Sequence, residues 1–238
     1  MSDYRRFFVD KIDDVITIDG EEFRHAVNVL RIKEGESIIL LDNSGYEYTS
    51  VVEKINKKDL TAKVVSKALS ENEPKTKVAL ITGYLKGDKT ELVVQKAVEL
   101  GISQIIVFNS KFCSAYMNDN KLARLNKVAV ESAKQCKRAV VPKVDYVDNV
   151  NDALKSCESY DNKLFACEFA THTEVDFNTL QGSTAIVVGS EGGFSQEEFD
   201  LSKEYGYQTI YLGKRILRAE TACIGLCAII MNSLQELK

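Results

Sequence analysis

Two glycine-bearing stretches near the end of this 238-residue chain hold residue types suited to gripping a small ligand and acting on it. One is Gly189-Ser190-Glu191-Gly192-Gly193-Phe194, directly after the apolar run 185–188. The other is Leu212-Gly213-Lys214-Arg215-Ile216-Leu217-Arg218-Ala219-Glu220-Thr221. Glycine lets the backbone approach a ligand closely and adopt positive φ. Arg218 offers a fixed fork of donors for an anion or a carbonyl oxygen. Glu191 offers either a base, if burial raises its pKa, or an anion that accepts backbone N–H bonds within its own loop. Taken alone, the first stretch is equally an ordinary strand-to-helix turn. It is not a P-loop, because no Gly-Lys-Ser/Thr follows, and it lacks the G-x-G-x-x-G spacing of a dinucleotide site.

Other chemistries have less behind them. His25 and His172 are the only histidines, which excludes a His-rich metal site, and no metal is expected. The six cysteines (113, 136, 157, 167, 223 and 227) form no C-x-x-C pair and read as reduced, mostly buried thiols. No motif supports Ser-His-Asp catalysis.

The elements that position the two stretches follow from hydrophobic periodicity. Residues 37–41, 46–52 and 60–65 read as strands separated by the turn clusters 42–45 and 57–59, with a short helix at 21–30 before them. Short strands with tight turns suggest a small barrel. The polar stretch 70–74 ends in Pro74 and marks a boundary, giving domains 1–72 and 73–238. Beyond it, strands alternate with helices: strands at 78–81, 104–108, 164–167, 185–188 and 209–212, and helices at 88–100, 122–136, 195–205 and 220–237. Asp88 with Glu91, and Ser195 with Glu198, have the spacing of capping boxes. This is a mostly parallel sheet covered by helices on both faces. Ligands in such sheets bind beyond the carboxyl ends of the strands, which is where both stretches fall.

Net charge is −4, a weak argument against nucleic acid, but its distribution is uneven. Residues 111–143 hold eight Lys/Arg against two acids, while 145–176 holds eight acids against two lysines. Either the basic runs solvate helix surfaces or they contact RNA. The N-terminus lacks the apolar core of a signal peptide, and the longest apolar run, 222–231, is about half what a membrane span requires. A cytoplasmic protein with no membrane partner is expected.

The combination of IVVGSEGGFSQEEFD and IYLGKRILRAETA resembles the bacterial 16S rRNA uridine N3-methyltransferase family, of the trefoil-knotted SPOUT superfamily. Three further segments match it in the same order: RHAVNVLRIKEGESIILLDNSG (24–45), KGDKTELVVQKAVELGISQI (86–105) and ESAKQCKRAVVPKV (131–144). One departure is Ser190, where the family usually has proline, which puts the stiffness of that loop in question. The resemblance implies a small N-terminal PUA-like β-barrel that binds RNA, a C-terminal knotted α/β methyltransferase domain, S-adenosyl-L-methionine as cofactor, and a homodimer. It implies 16S rRNA as substrate, taken within the small ribosomal subunit, with methylation at N3 of one uridine. A ribose 2′-O-methyltransferase of the same fold and a non-catalytic RNA-binding assembly factor are the alternatives.

On that reading, Val188, Gly189, Glu191, Gly193, Leu212, Gly213, Leu217 and Thr221 hold the cofactor, and Thr221 with Glu220 also caps the last helix. N3 of uridine carries a proton, so either a base removes it or cations stabilise the uridinate. Arg218 is the candidate for the second route, with a salt bridge to Glu220 or Glu191 as its competing role. Glu191 is the candidate for the first. For RNA contact the candidates are Arg5, Arg6, Arg24, Arg31, Lys134 and Arg138, with Lys137 nearby; Arg5 and Arg6 precede Phe7-Phe8, which are either a stacking pair or core residues.

Overall fold

The computed structural model describes residues 4–237. They form two compact units: residues 4–73 with 133–141, and residues 74–132 with 142–237.

The first unit is a curled five-stranded sheet in the order β1-β3-β4-β5-β2, from β1 (Arg5–Phe8), β2 (Val15–Ile18), β3 (Ser37–Leu41), β4 (Tyr46–Ile55) and β5 (Leu60–Leu69). Register shifts at Thr49/Ser50 and Val52/Lys54 bend the long β4–β5 ribbon. The result is the PUA-like β domain, open like a half-barrel. Phe7, Ile16, Ile18, Phe23, Ile38, Leu40, Val52 and Leu60 fill its concave side. The helix expected at 21–30 is an α-helical turn, α1 (Gly20–Arg24), that widens into a π-helical turn at His25–Val29. Leu30 N donates to His25 O, and Arg31 at φ 54° then ends the helix.

Ala133–Val141 belongs to this unit because Glu73 holds it. One Glu73 oxygen accepts from the backbone N–H groups of Ala139 (2.7 Å) and Val140 (3.0 Å), and the other from the Arg138 guanidinium (3.0 Å). Ala139 then packs with Ile39 and Leu41.

The second unit has a six-stranded, wholly parallel sheet in the order β11-β9-β10-β6-β7-β8. Its strands are β6 (Val78–Gly83), β7 (Gln104–Phe108), β8 (Lys143–Val147), β9 (Asn162–Ala166), β10 (Thr184–Val188) and β11 (Gln208–Ile210). Its helices are α2 (Lys89–Glu99), α3 (Asp119–Gln135, whose end leads into Ala133–Val141), α4 (Val150–Lys155), α5 (Gln196–Glu204) and α6 (Ala219–Ser233). Alternation along the strands sorts the two faces. Ala79, Ile81, Ala185 and Val187 face a core with Val150, Leu154, Phe194 and Tyr207. On the other face α6 packs on β6, β10 and α2. Thr82 Oγ1 and Cys223 Sγ, 3.4 Å apart, mark that contact. Within α6 the buried residues Ala219, Ala222, Cys223, Leu226, Cys227, Ile230 and Met231 recur at three- and four-residue intervals, one helical stripe.

The Ser195–Glu198 capping box forms as the spacing predicts. The Asp88–Glu91 box does not. Asp88 sits at φ −92°, ψ 3° without a side-chain cap, and Thr90 Oγ1 instead accepts from Leu85 N at 3.0 Å. Strands β1, β2 and β8 and helix α4 are elements the sequence pattern did not indicate. Among the described residues no helix is long and apolar enough to cross a membrane.

Arg138 is 3% exposed and its charge is met by Glu73, so it is part of the framework rather than of an RNA-binding face. Arg138→Met is therefore expected to lower unfolding stability by about 3–5 kcal/mol, because it removes the cation that neutralises Glu73 and leaves only the backbone bonds to its other oxygen. Urea unfolding checks this; a variant as stable as the parent would return Arg138 to the surface role.

Candidate active site

Four chain segments leave the carboxyl ends of strands and meet at one cavity of about 710 Å³. After β9 come Cys167 and Glu168, after β10 residues 189–194, and after β11 residues 211–218; Lys89, at the start of the helix that follows β6, completes the wall. This is where an open parallel sheet offers a crevice.

The loop after β10 is held by close backbone approach. A Cβ on Gly83 would lie 2.4 Å from Ser190 N, and one on Gly192 would lie 2.6 Å from Phe112 Cβ. Gly193 has φ 68°, and a Cβ there would strike the Glu168 carboxylate. Ser190 bridges to Gly193 across the loop, and its buried hydroxyl lies 2.8 Å from the hydroxyl of Ser110. That bond supplies locally the restraint that a proline ring would give by covalent means. Phe194 anchors the far end, its ring 4.2 Å from that of Phe165 in the core.

Of the residues expected to hold a ligand, Val188, Gly189, Glu191, Gly193, Leu212, Gly213 and Leu217 all line the cavity, and so does Arg218. Thr221 does not: it is exposed on α6, while Ala219 and Ala222 face the cavity. One helical turn places 219 and 222 together and turns 221 away.

Arg218 is exposed and makes no ion pair among the described residues. Its expected partners belong to Lys89, whose Nζ lies 2.9 Å from Glu191 Oε1 and 3.7 Å from Glu220 Oε2. Glu191 Oε1 also accepts from Lys86 N at 3.2 Å. Burial pushes the Glu191 pKa up, but the bonds from Lys89 and from backbone N–H groups outweigh it and hold the carboxyl below its ordinary value. Glu191 is thus a loop anchor kept ionised, and a weak base. The Lys89 ammonium is raised in turn, chiefly by its hydrogen bond to Glu191. Cys167 on the cavity wall has its thiol pKa raised by burial, which makes it an apolar surface rather than a nucleophile. Among the described residues no three His, Cys, Asp or Glu groups converge as a metal site would.

Lys89, Glu168 and the Ser110–Ser190 pair escaped the sequence reading. The available signal was topological: in a parallel sheet the residues after every strand end face the same crevice, so the turn after β6 and the first residues after β9 deserved the same scrutiny as the glycine loops.

A family model described as an RNA methyltransferase domain matches residues 71–231, and one described as an RNA methyltransferase PUA domain matches residues 18–65. The chain is 34% identical over 226 residues to the ribosomal RNA small subunit methyltransferase E of Mesomycoplasma hyopneumoniae, covering 94% of this chain and 96% of that protein. This chain belongs to that RNA methyltransferase family. A second member, from Bacillus subtilis, is 31% identical, with 92% of each chain covered. A crystal structure of the Neisseria gonorrhoeae methyltransferase E bound to S-adenosyl methionine superposes with a TM-score of 0.85 at 26% identity, covering 96% of this chain and 97% of that one. Membership fits the two units found here, a PUA-like sheet and a parallel α/β domain.

The RNA candidates in this methyltransferase separate by environment. Arg5, Arg24 and Arg31 are exposed, although Arg24 Nε donates to Gly20 O at 3.3 Å. Arg6 pairs with Glu47 and Lys134 with Glu22, both largely buried, so these two charges are spent within the first unit, as Arg138 is. Phe7 is a core residue, which decides against the stacking role for its ring.

Glu191 carries a pH signature. Its folded-state pKa lies below the ordinary 4.5, so the stabilisation it gives is complete above pH 4.5 and is lost as pH falls through the folded value. Glu191→Gln should therefore melt below the parent at pH 7, with the gap closing on acidification below pH 4.5. Thermal melts across that range check it; a constant gap would mean that the carboxylate charge contributes nothing to the loop.

Proposed function

We propose that this protein methylates N3 of one uridine in 16S rRNA of the small ribosomal subunit, using S-adenosyl-L-methionine. The supporting observation is an unpaired guanidinium, Arg218, at a glycine-walled cavity in a chain of the RNA methyltransferase family.

The cavity residues fit the cofactor. Its volume is in the range of small-molecule sites. Gly213 has φ 91° and nothing within 4 Å of where a Cβ would stand, so its backbone lies open to a ligand. Val188, Ile210, Leu212, Leu217 and Ala222 give apolar walls, and Glu168 gives a carboxylate suited to an ammonium or to ribose hydroxyls. Backbone of Val188, Gly189, Gly193, Leu212, Gly213 and Leu217 would hold it. Bound there, S-adenosylmethionine supplies an electrophilic methyl group on its sulfonium.

The chain's own task is to make N3 nucleophilic. Loss of the N3 proton to solvent water leaves negative charge on O2 and O4 of the base. Arg218 meets that charge with two or more N–H donors, which favours the uridinate. Glu191, held ionised by Lys89, keeps the loop in place and leaves the charge stabilisation to Arg218. The exposed Lys214 and Arg215 beside it attract phosphate, and Arg5, Arg24 and Arg31 offer the first unit's contacts to RNA.

A second copy of the chain is the further partner we infer. Leu92 and Ile229, on the packed helices α2 and α6, are each 41% exposed, and Ile216 is fully exposed. Such apolar surface is suited to a homodimer. The knotted path implied by the resemblance, and a cytoplasmic location beside the ribosome, complete the proposal.

Labelled S-adenosylmethionine and small subunits lacking the modification test it. The expected product is 3-methyluridine, and Arg218→Ala should cut turnover by about 10²–10³-fold while cofactor affinity stays near that of the parent. A 2′-O-methylated nucleoside, or no transfer to any RNA, would overturn the reading.

A further inference from the structure

We propose that Lys89 is the positioning residue that keeps Arg218 free: its ammonium is hydrogen-bonded to Glu191 and lies within ion-pair range of Glu220, the two carboxylates that would otherwise capture the guanidinium. The inference rests on the role given to Arg218 above.

The four groups come from three places in the chain. Lys89 is the first residue of α2, Glu191 sits in the loop after β10, and Arg218 is the N-cap of α6 with Glu220 two residues further on. Nζ of Lys89 lies between the two carboxylates, 2.9 Å from one and 3.7 Å from the other. Glu220 is the stronger competitor for Arg218. Its side chain is 13% exposed, and its Oε2 is buried with no hydrogen-bond partner among the described residues. A buried carboxylate oxygen with an open lone pair, two residues from a guanidinium, has a direct route to a charge-assisted bond. A planar arginine fork matches a carboxylate better than an ammonium does, so a Glu220 freed of Lys89 would favour an arginine partner.

Lys89 changes that balance in two ways. It neutralises the carboxylates in place, and its own positive charge repels Arg218; the two cations are close enough for Arg218 to depress the Lys89 pKa. Two acids and two bases then leave one base unspent. Without Lys89 the same site has two acids and one base, and the guanidinium closes on them. Lys89 also lines the cavity, so a competing role is direct contact with the cofactor.

Three variants separate these roles: Lys89→Ala, Lys89→Arg, and Lys89→Ala combined with Glu191→Gln and Glu220→Gln. In ligand-free protein, the Arg218 Nε–H signal, assigned by its loss in Arg218→Ala, reports whether the guanidinium is paired. We expect its hydrogen exchange to slow by about tenfold or more in Lys89→Ala and to return toward the parent rate in the triple variant. With subunits, Lys89→Ala should lose roughly 10–100-fold in kcat with KM for S-adenosylmethionine within about twofold. Lys89→Arg should stay within about fivefold of the parent; the triple variant, which also loses the Glu191 loop anchor, is read by its exchange rate alone. A wild-type kcat in Lys89→Ala, a triple variant whose Arg218 Nε–H exchanges no faster than in Lys89→Ala, or loss of cofactor binding in calorimetry would each overturn the inference. If the parent transfers no methyl group at all, the functional reading fails by itself, and the exchange rates still decide whether Lys89 keeps Arg218 unpaired.

Discussion

The cavity depends on backbone meeting backbone where β6 ends. A Cβ on Gly83 would stand 2.4 Å from Ser190 N, a distance no packing adjustment between two main chains can absorb. Everything built on the loop after β10 follows from that approach. Because residue 83 has no side chain, Ser190 reaches Ser110, Gly193 bridges back to Ser190, and Phe194 enters the core beside Phe165. The same loop then presents Glu191 to Lys89. Apolar anchorage at one end and a hydroxyl pair at the other fix a segment that would be only a turn if either were missing.

Charge is placed by the same economy. The chain is acidic overall, and three of the six cations that the sequence assigns to RNA are used internally. Arg6 pairs with Glu47, Lys134 with Glu22 and Arg138 with Glu73, all as part of the first unit. The cations left to solvent at the cavity fall in one short segment: Lys214, Arg215 and Arg218. A short exposed cationic segment beside a cavity focuses attraction at the reacting centre, where basic runs spread along helices would not.

Legibility followed the range of the interactions. Local patterns were readable: the Ser195–Glu198 box, the strand 104–108, and the strand-end glycine loops all rest on residues a few positions apart. Asp88 and Glu91 had the same local pattern and failed, because the turn 85–90 is closed by Thr90 instead. Strand β1 was hidden because Arg5-Arg6-Phe7-Phe8 does not alternate; it takes its place only through parallel pairing with β3, about thirty residues on. Arg138 looked like the centre of a basic cluster, and only the approach of Glu73, 65 residues away, shows that it is internal. Lys89 escaped for the same reason: its partners lie 102 and 131 residues further along the chain.

The Ser110–Ser190 pair is a long-range restraint of the same kind, at the position where the resemblance leads one to expect proline. A proline stiffens its own loop whatever surrounds it, whereas a serine does so only if a partner waits at hydrogen-bond distance in a dry place. Ser190 is 5% exposed and Ser110 is 6% exposed, so water competes little for either hydroxyl. The restraint on this loop lies in the packing of two strand ends, β7 and β10. The stiffness of the loop after β10 is then a property of the folded sheet, present only when β6 and β7 have already brought Gly83 and Ser110 to the place where Ser190 must sit.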